Sequence, residues 1–370
     1  LLIVAFGMVL TSYGWVRLLG IEDQTSVSLP RLAQPTAVRG HTSPAQYEEL
    51  ALAAFPARRA AVRVRSLLSA YVFHDPIVGD SVLMGEGGWL FLADEWELNA
   101  LQKVNAATFT PEAALSGMVR MNDLVRSQGG ALFTFVIPNK TTAYAEHIAN
   151  PVPVLGQSND AELLVSYSQA LPSPISVRWL SEFLDSDIPV YLRTDTHWND
   201  LGAFAAYQEI VRSLGDRRVE SAMLQPHDLS RSTRVQAGDL TRMVGLAPEH
   251  QENVVRLAVR APRAVAEAPV DFGCDSGVQT YHVASADLPT ALIIHDSFGQ
   301  AMIPYLAESF STSWFVHFSL CPQAFYGRLS VVELTRPDYV VVPLVERDFV
   351  RIGLWQNPSW MDAPIGTWAR

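Results

Sequence analysis

An almost unbroken apolar run, ALFTFVI at Ala131–Ile137, stops at Pro138 and restricts the folds open to this chain. Such a run is the mark of a strand buried on both faces. Residues 291–294 (ALII) repeat the signal, and 314–318 (WFVHF) and 339–342 (YVVV) predict two more strands. Helical apolar spacing falls between them. It covers 46–72, interrupted at Pro56, then 111–128, 160–170, 199–214 and a stretch from about 298 to 308. Residues 82–92 (VLMGEGGWLFL) predict two short strands around a glycine turn. Strands alternating with helices imply an α/β fold, a mostly parallel sheet with helices on both faces. Residues 220–290, with Val, Arg, Pro and Ala in short stretches, are expected to form a β-rich insertion.

The chain has 370 residues, 49% of them apolar, which is enough for a large core. Its net charge of −11, with no basic block, argues against a nucleic-acid partner. Cys274 and Cys321 form no CxxC pair, so zinc ribbons and thioredoxin-type chemistry are excluded. Whether the two bridge is open at this level, and a bridge would need an oxidising compartment.

Residues 1–20 (LLIVAFGMVLTSYGWVRLLG) carry no charge before Arg17 and place Tyr13 and Trp15 near the end, as an interfacial belt would. The run is slightly short of a full span and begins at Leu1, so it is expected to continue upstream. A membrane-anchoring helix is the expectation. A cleaved signal peptide and a buried core helix are the alternatives, and no clear small-residue cleavage site follows. Residues 21–45, rich in Ser, Thr, Pro and Gln, are expected to link this anchor to a domain over 46–370.

Two motifs could carry chemistry. In ALIIHDSFGQ (291–300), Ser297 follows a buried strand and precedes an expected helix. That puts its hydroxyl at the carboxyl edge of the sheet, where open α/β sheets bind ligands. The amides of Ser297 and Phe298 would then face a developing oxyanion, and Gly299 would allow close approach. The competing reading makes Asp296 or Ser297 a helix cap. In YLRTDTHWN (191–199), Asp195 and His197 lie two apart and share a face if the segment is extended. A carboxylate that orients an imidazole makes a general base for a serine. A metal site drawing on His295 and Asp296, or a structural histidine, are the alternatives.

Together DTHW (195–198) and HDSF (295–298) resemble the AlgJ/AlgX family of alginate O-acetyltransferases, whose catalytic domain is a permuted SGNH hydrolase fold. GEGGWLFL (85–92), VIPNKTTAY (136–144), GDLTRM (238–243) and PDYVVVPLVERDF (337–349) match in character and order, so the resemblance spans roughly residues 50–350. It implies acetyl transfer to an exported polysaccharide, with a polytopic membrane-bound O-acyltransferase as donor partner. It also implies an inner-membrane anchor with the domain in the periplasm, and no cofactor or metal. Carried over by motif, Ser297 is the nucleophile, His197 the base and Asp195 its partner. The spacing here is DxH rather than the DxxH of typical SGNH hydrolases, and the Gly and Asn blocks of their oxyanion hole have no clear counterpart. Asn139, Lys140, Tyr144 and Tyr305 are candidates for polar lining, with Phe298 for the oxyanion. Lys140 and Arg193 as surface residues are the alternative. Trp89 and Trp198 are either sugar-stacking or core. His295 is expected to pack, and Glu346 and Arg347 to pair with each other. An acetylesterase with the same triad and a non-catalytic scaffold subunit are the rival functions.

Overall fold

The computed structural model describes residues 58–351 except 74, 76, 79–80, 106–109, 149–151, 174, 275 and 322–330. The expected anchor, the linker and the first part of the 46–72 helix lie outside the described residues. Among the described residues no helix is long and apolar enough to cross a membrane.

The strands are β1 (Ile77–Val78), β2 (Val82–Met84), β3 (Leu90–Leu92), β4 (Ala131–Ile137), β5 (Ser176–Trp179), β6 (Leu229–Gln236), β7 (Glu252–Val259), β8 (Val265–Glu267), β9 (Val278–His282), β10 (Thr290–His295), β11 (Thr312–His317) and β12 (Tyr339–Val345). The central sheet runs β5-β4-β12-β10-β11-β9-β8. Its first five strands are parallel, and β9 and β8 extend it antiparallel. Strands β1 to β3 make a small antiparallel sheet of their own.

Side chains alternate across a strand, and the two faces of the sheet bury different sets. Leu132, Val136, Leu292, Ile294, Val340 and Val342 pack with Ala114, Met118, Met121 and Leu164 from helices Pro111–Ser127 and Asp160–Gln169. Phe135, Ile137, Ile293, Val341 and Val345 share the other cluster with Ala203, Phe204, Tyr207 and Ile210 of helix Asp200–Leu214. The runs read as buried on both faces are so because helices cover both sides.

Two expectations need correction. The stretch after Ser297 is not one helix but three short turns, Gly299–Met302, Ile303–Leu306 and Ala307–Ser309. Pro304 lies in its middle, lacks an N–H and crowds the carbonyl one turn back, so a continuous helix cannot pass through. Residues 220–290 are only half an insertion. Strands β6 and β7 form a separate antiparallel ladder, whereas β8 and β9 complete the central sheet and cover its β11 edge.

Cys274, just before β9, and Cys321, just after β11, form a disulfide with Cα atoms 5.4 Å apart. It closes a sequence separation of 47 residues. Loop-closure entropy for that length is worth at most about 4 kcal/mol. The Cys274→Ser/Cys321→Ser variant is therefore expected to unfold at lower urea, by about 2–4 kcal/mol. An unchanged midpoint in urea titration would contradict this.

Candidate active site

Ser297 lies two residues beyond β10, exposed at the carboxyl edge of the sheet. The turn that presents it is held by Asp296 beneath. That buried carboxylate accepts from the amides of Phe298 (2.8 Å), Gly299 (3.3 Å) and Val345 (2.6 Å). Burial pushes Asp296 up to about 6, helped by Asp348 and opposed by these amides and Arg347. Capping thus falls to Asp296, which leaves the Ser297 hydroxyl free for His197. Gly299 is required because His295 packs under it: an added Cβ would lie 2.3 Å from the His295 Cβ. Asp296→Ala would leave three amides without their carboxylate. A loss on the order of 3 kcal/mol or more is expected in urea denaturation; a loss under about 1 kcal/mol would contradict the capping role.

The second half of the site is a tight loop. Tyr191 and Trp198 bridge its ends, and Leu192 N–H donates to the His197 carbonyl at 3.1 Å. Asp195 and His197 therefore meet across a turn, not along an extended segment. Asp195 Oδ1 accepts both the His197 amide (3.1 Å) and its Nδ1 (2.7 Å). Just after it, Asn199 caps helix Asp200–Leu214, accepting from the amides of Leu201 and Gly202. This fixes the loop to the helix start.

The two halves join at one contact: His197 Nε2 lies 2.9 Å from Ser297 Oγ. Ser297, His197 and Asp195 form a continuous hydrogen-bonded line. Burial would raise the Asp195 carboxyl, but the hydrogen bonds and charge of His197 and the Asp239 amide outweigh it. The carboxyl is held well below the usual range. Asp239, not among the candidates from sequence, completes the loop's support. Its amide donates to Asp195 Oδ2 at 2.9 Å. Its carboxylate accepts from the Thr196 amide (2.7 Å) and hydroxyl (2.6 Å). Gly238 beside it has no room for a side chain, since a Cβ would come within 2.0 Å of the Thr194 carbonyl. The GDLTRM segment carried this signal, but not which of its residues would reach the loop.

Asp195, His197 and Asp239 could also be grouped as metal ligands. Each of the four carboxylate oxygens already accepts an N–H or O–H, so the set is organised as a hydrogen-bond relay. His295 and Asp296, the other candidates for a metal, point elsewhere. His295 Nδ1 bonds the Asp296 carbonyl at 2.7 Å, and burial lowers its imidazole to about 4.

Most of the remaining candidates fall behind the site. The Phe298 amide is taken by Asp296, so it is not a free oxyanion donor, and its ring packs 4.9 Å from the His197 ring. Among the described residues no acceptor takes the Ser297 amide. Trp198 is buried, its Nε1 donating to the Phe298 carbonyl at 3.2 Å. It ties the two loops and offers no open ring face. Tyr305 is buried against Phe204 and Tyr207. Trp89 is covered by Tyr144 and His147, each ring 4.6 Å away. The Tyr144 hydroxyl accepts the Val190 amide. Asn139 is wholly buried, accepting the Arg347 amide on Oδ1. Lys140 is neither lining nor surface. It is buried, donates to three carbonyls, and burial draws it down to about 7 against the pull of Glu252 and Asp195. Arg193 is exposed, as the surface reading has it. Glu346 and Arg347 do not pair with each other. Glu346 binds Asn139, Thr142 and Asn159, while Arg347 pairs with buried Glu97 at 2.7 Å.

The family model for the SGNH hydrolase-like domain of the acetyltransferase AlgX matches residues 82–276. The match includes the Asp195–His197 loop and ends before Ser297. The probable alginate O-acetylase AlgJ of Pseudomonas syringae pv. tomato is 29% identical over 199 residues, 52% of this chain and 48% of that protein. Its counterpart in Pseudomonas aeruginosa is 28% identical over 222 residues, 58% of this chain and 54% of that protein. The chain thus spans about half the length of these curated relatives. The structure of Bacillus cereus PatB1 with a sulfonyl adduct superposes with a TM-score of 0.56 at 15% identity, covering 75% of this chain and 99% of that one. At that identity the likeness concerns the fold.

Proposed function

The chain belongs to the family of the SGNH hydrolase-like domain of acetyltransferase AlgX, and from that premise we propose that it is a serine-dependent O-acetyltransferase acting on a polysaccharide. The observation that carries the reading is the line from Ser297 Oγ through His197 to Asp195, with contacts of 2.9 and 2.7 Å. A serine hydroxyl is a weak nucleophile until a base takes its proton. His197 Nε2 takes it as Oγ attacks the carbonyl carbon of an acetyl donor. The tetrahedral intermediate collapses, His197 returns the proton to the leaving oxygen, and an acetyl ester remains on Ser297. A sugar hydroxyl then attacks that ester, its proton passes to His197 and on to Ser297 Oγ, and the acetylated sugar departs. Asp195 keeps the imidazole in the tautomer that has Nε2 free to accept. The Ser297 amide, which no acceptor takes among the described residues, is the donor this reading assigns to the developing oxyanion.

The names of the AlgJ relatives support acetyl transfer to a polysaccharide of the alginate type. On this reading the donor is supplied by a polytopic membrane-bound O-acyltransferase. The apolar residues 1–20 anchor the chain in the inner membrane, with the domain in the periplasm. The Cys274–Cys321 disulfide is compatible with that oxidising compartment.

One observation favours a second outcome at the same site. Ser297 is exposed, so water can reach the acyl-enzyme, and hydrolysis competes when no acceptor is bound. The test is 4-nitrophenyl acetate turnover by the full chain with and without alginate oligosaccharide, followed by mass spectrometry of protein and sugar. Acetyl on Ser297 and on sugar supports the transferase. Acetate alone, with acceptor present, would replace it by the esterase. No acetylated Ser297 and no turnover would leave the scaffold reading.

A further inference from the structure

The loop that carries Asp195 is gripped from both sides by a buried ion, and neither ion touches the reacting atoms. On one side the Glu252 carboxylate, at the start of β7, accepts the amides of Arg193 (2.9 Å) and Thr194 (2.7 Å). On the other side Lys140, just after β4, spends all three of its ammonium protons on carbonyls. They go to Leu90 (2.5 Å), Arg193 (2.9 Å) and Asp195 itself (2.9 Å). The Leu90 amide also donates to the Arg193 carbonyl at 2.9 Å, binding the loop to β3. The amides of this short segment thus point at an anion and its carbonyls at a cation. Each charge sits where the peptide dipoles stabilise it, and each pulls the loop toward itself. Lys140 is further enclosed by Trp89 and Phe91, whose ring centroids lie 5.1 and 5.2 Å from Nζ.

We propose that Lys140 and Glu252 are paired positioning residues, which hold Asp195 against His197 Nδ1 through the backbone of residues 193–195. The proposal rests on the acetyl-transfer reading above and deepens it. It gives the β6–β7 ladder a task, because β7 brings Glu252 to the loop. It also accounts for a lysine placed inside the domain. Three directed carbonyl bonds replace its hydration. A neutral residue of the same volume would take this donor from the Leu90 and Asp195 carbonyls, leave the Arg193 carbonyl only the Leu90 amide, and loosen the loop.

The experiment compares full-chain wild type, Lys140→Met, Glu252→Gln, Glu252→Ala and the Lys140→Met/Glu252→Gln double variant on 4-nitrophenyl acetate. Active sites are counted with phenylmethylsulfonyl fluoride, and Tm is measured alongside. For Lys140→Met, kcat per titrated site is expected to fall about 100-fold, the scale set by a displacement near 1 Å in a catalytic group. KM should stay near its wild-type value, because no contact to the ester is removed. Glu252→Gln keeps one oxygen for the Thr194 amide and should lose less than Glu252→Ala. The double variant should be little worse than the more damaged single one, since both residues act through one loop. A lowered Tm with unchanged kcat per titrated site would make the pair merely structural and overturn the proposal. So would fully additive losses. Should Lys140→Met fail to fold, the graded Glu252 series decides alone. Wild type that neither turns over nor labels at Ser297 would instead fail the acetyl-transfer reading, with Ser297→Ala as the blank for both measurements.

Discussion

Ser297→Ala is expected to lower kcat for acetyl-ester turnover on the order of 10^4- to 10^6-fold. On the acetyl-transfer reading, the size follows from removing the oxygen that would carry the acetyl group. Stability should barely change. The side chain is exposed, its Oγ hydrogen-bonds only His197 Nε2, at 2.9 Å, among the described residues, and the turn is held by Asp296 rather than by the hydroxyl. Phenylmethylsulfonyl fluoride should add one sulfonyl group to wild type and none to the variant by intact mass. A variant that keeps more than about a tenth of wild-type turnover would remove Ser297 from the mechanism, against the 10^4-fold scale expected.

Asp195→Asn is the second large effect, with kcat expected to fall about 10^4-fold. The amide can donate to Nδ1, which stabilises the tautomer whose Nε2 carries the proton and cannot take one from Ser297. Asp239 complicates this in a measurable way. Its Oδ2 lies 3.6 Å from Nδ1 and is held there by the Thr196 hydroxyl. A loss of only about tenfold in Asp195→Asn, deepening to the full 10^4-fold when Asp239→Asn is added, would show that the second carboxylate substitutes as orienter. The same variant has a pH signature. The Asp195 carboxyl is held below its ordinary value by hydrogen bonds from His197 and Asp239, against burial. The unfolded chain therefore binds a proton there more readily than the folded one. The stability Asp195 contributes is complete above the usual carboxylate range, about pH 4, and is lost as pH falls through the folded value. Urea titrations from pH 7 downward should show wild type and Asp195→Asn converging in acid. Curves that run parallel would contradict the shift.

The reach of sequence reasoning is clearest at the strands. ALFTFVI, ALII and YVVV became β4, β10 and β12, neighbours in the sheet. A strand covered on both faces is apolar at nearly every position, and that leaves a local record. The three triad candidates were legible for a related reason. Ser297 follows one of those strands, and Asp195 and His197 sit just before a capped helix, so local order already put them near the ends of elements. The same logic overextended at 298–308, where apolar spacing predicted a helix that Pro304 divides. It also left Phe298 with an amide that the neighbouring Asp296 had already claimed.

What the sequence determined by itself is the layered α/β architecture and the candidates for acyl chemistry. Both depend on patterns within a few residues of one another. Only the tertiary structure decided which polar atoms serve those groups. Glu252 meets Thr194 across 58 positions, Asp239 meets Asp195 across 44, and Arg347 meets Glu97 across 250. Such contacts have no period and no spacing to read. They are selected because a buried donor or acceptor left unpaired costs more than one exposed to water, and the partner is whichever group the fold brings within about 3 Å. Lys140 shows the difference: in the sequence it is a cation near a sheet edge, and only the folded chain makes it the donor that fastens the Asp195 backbone.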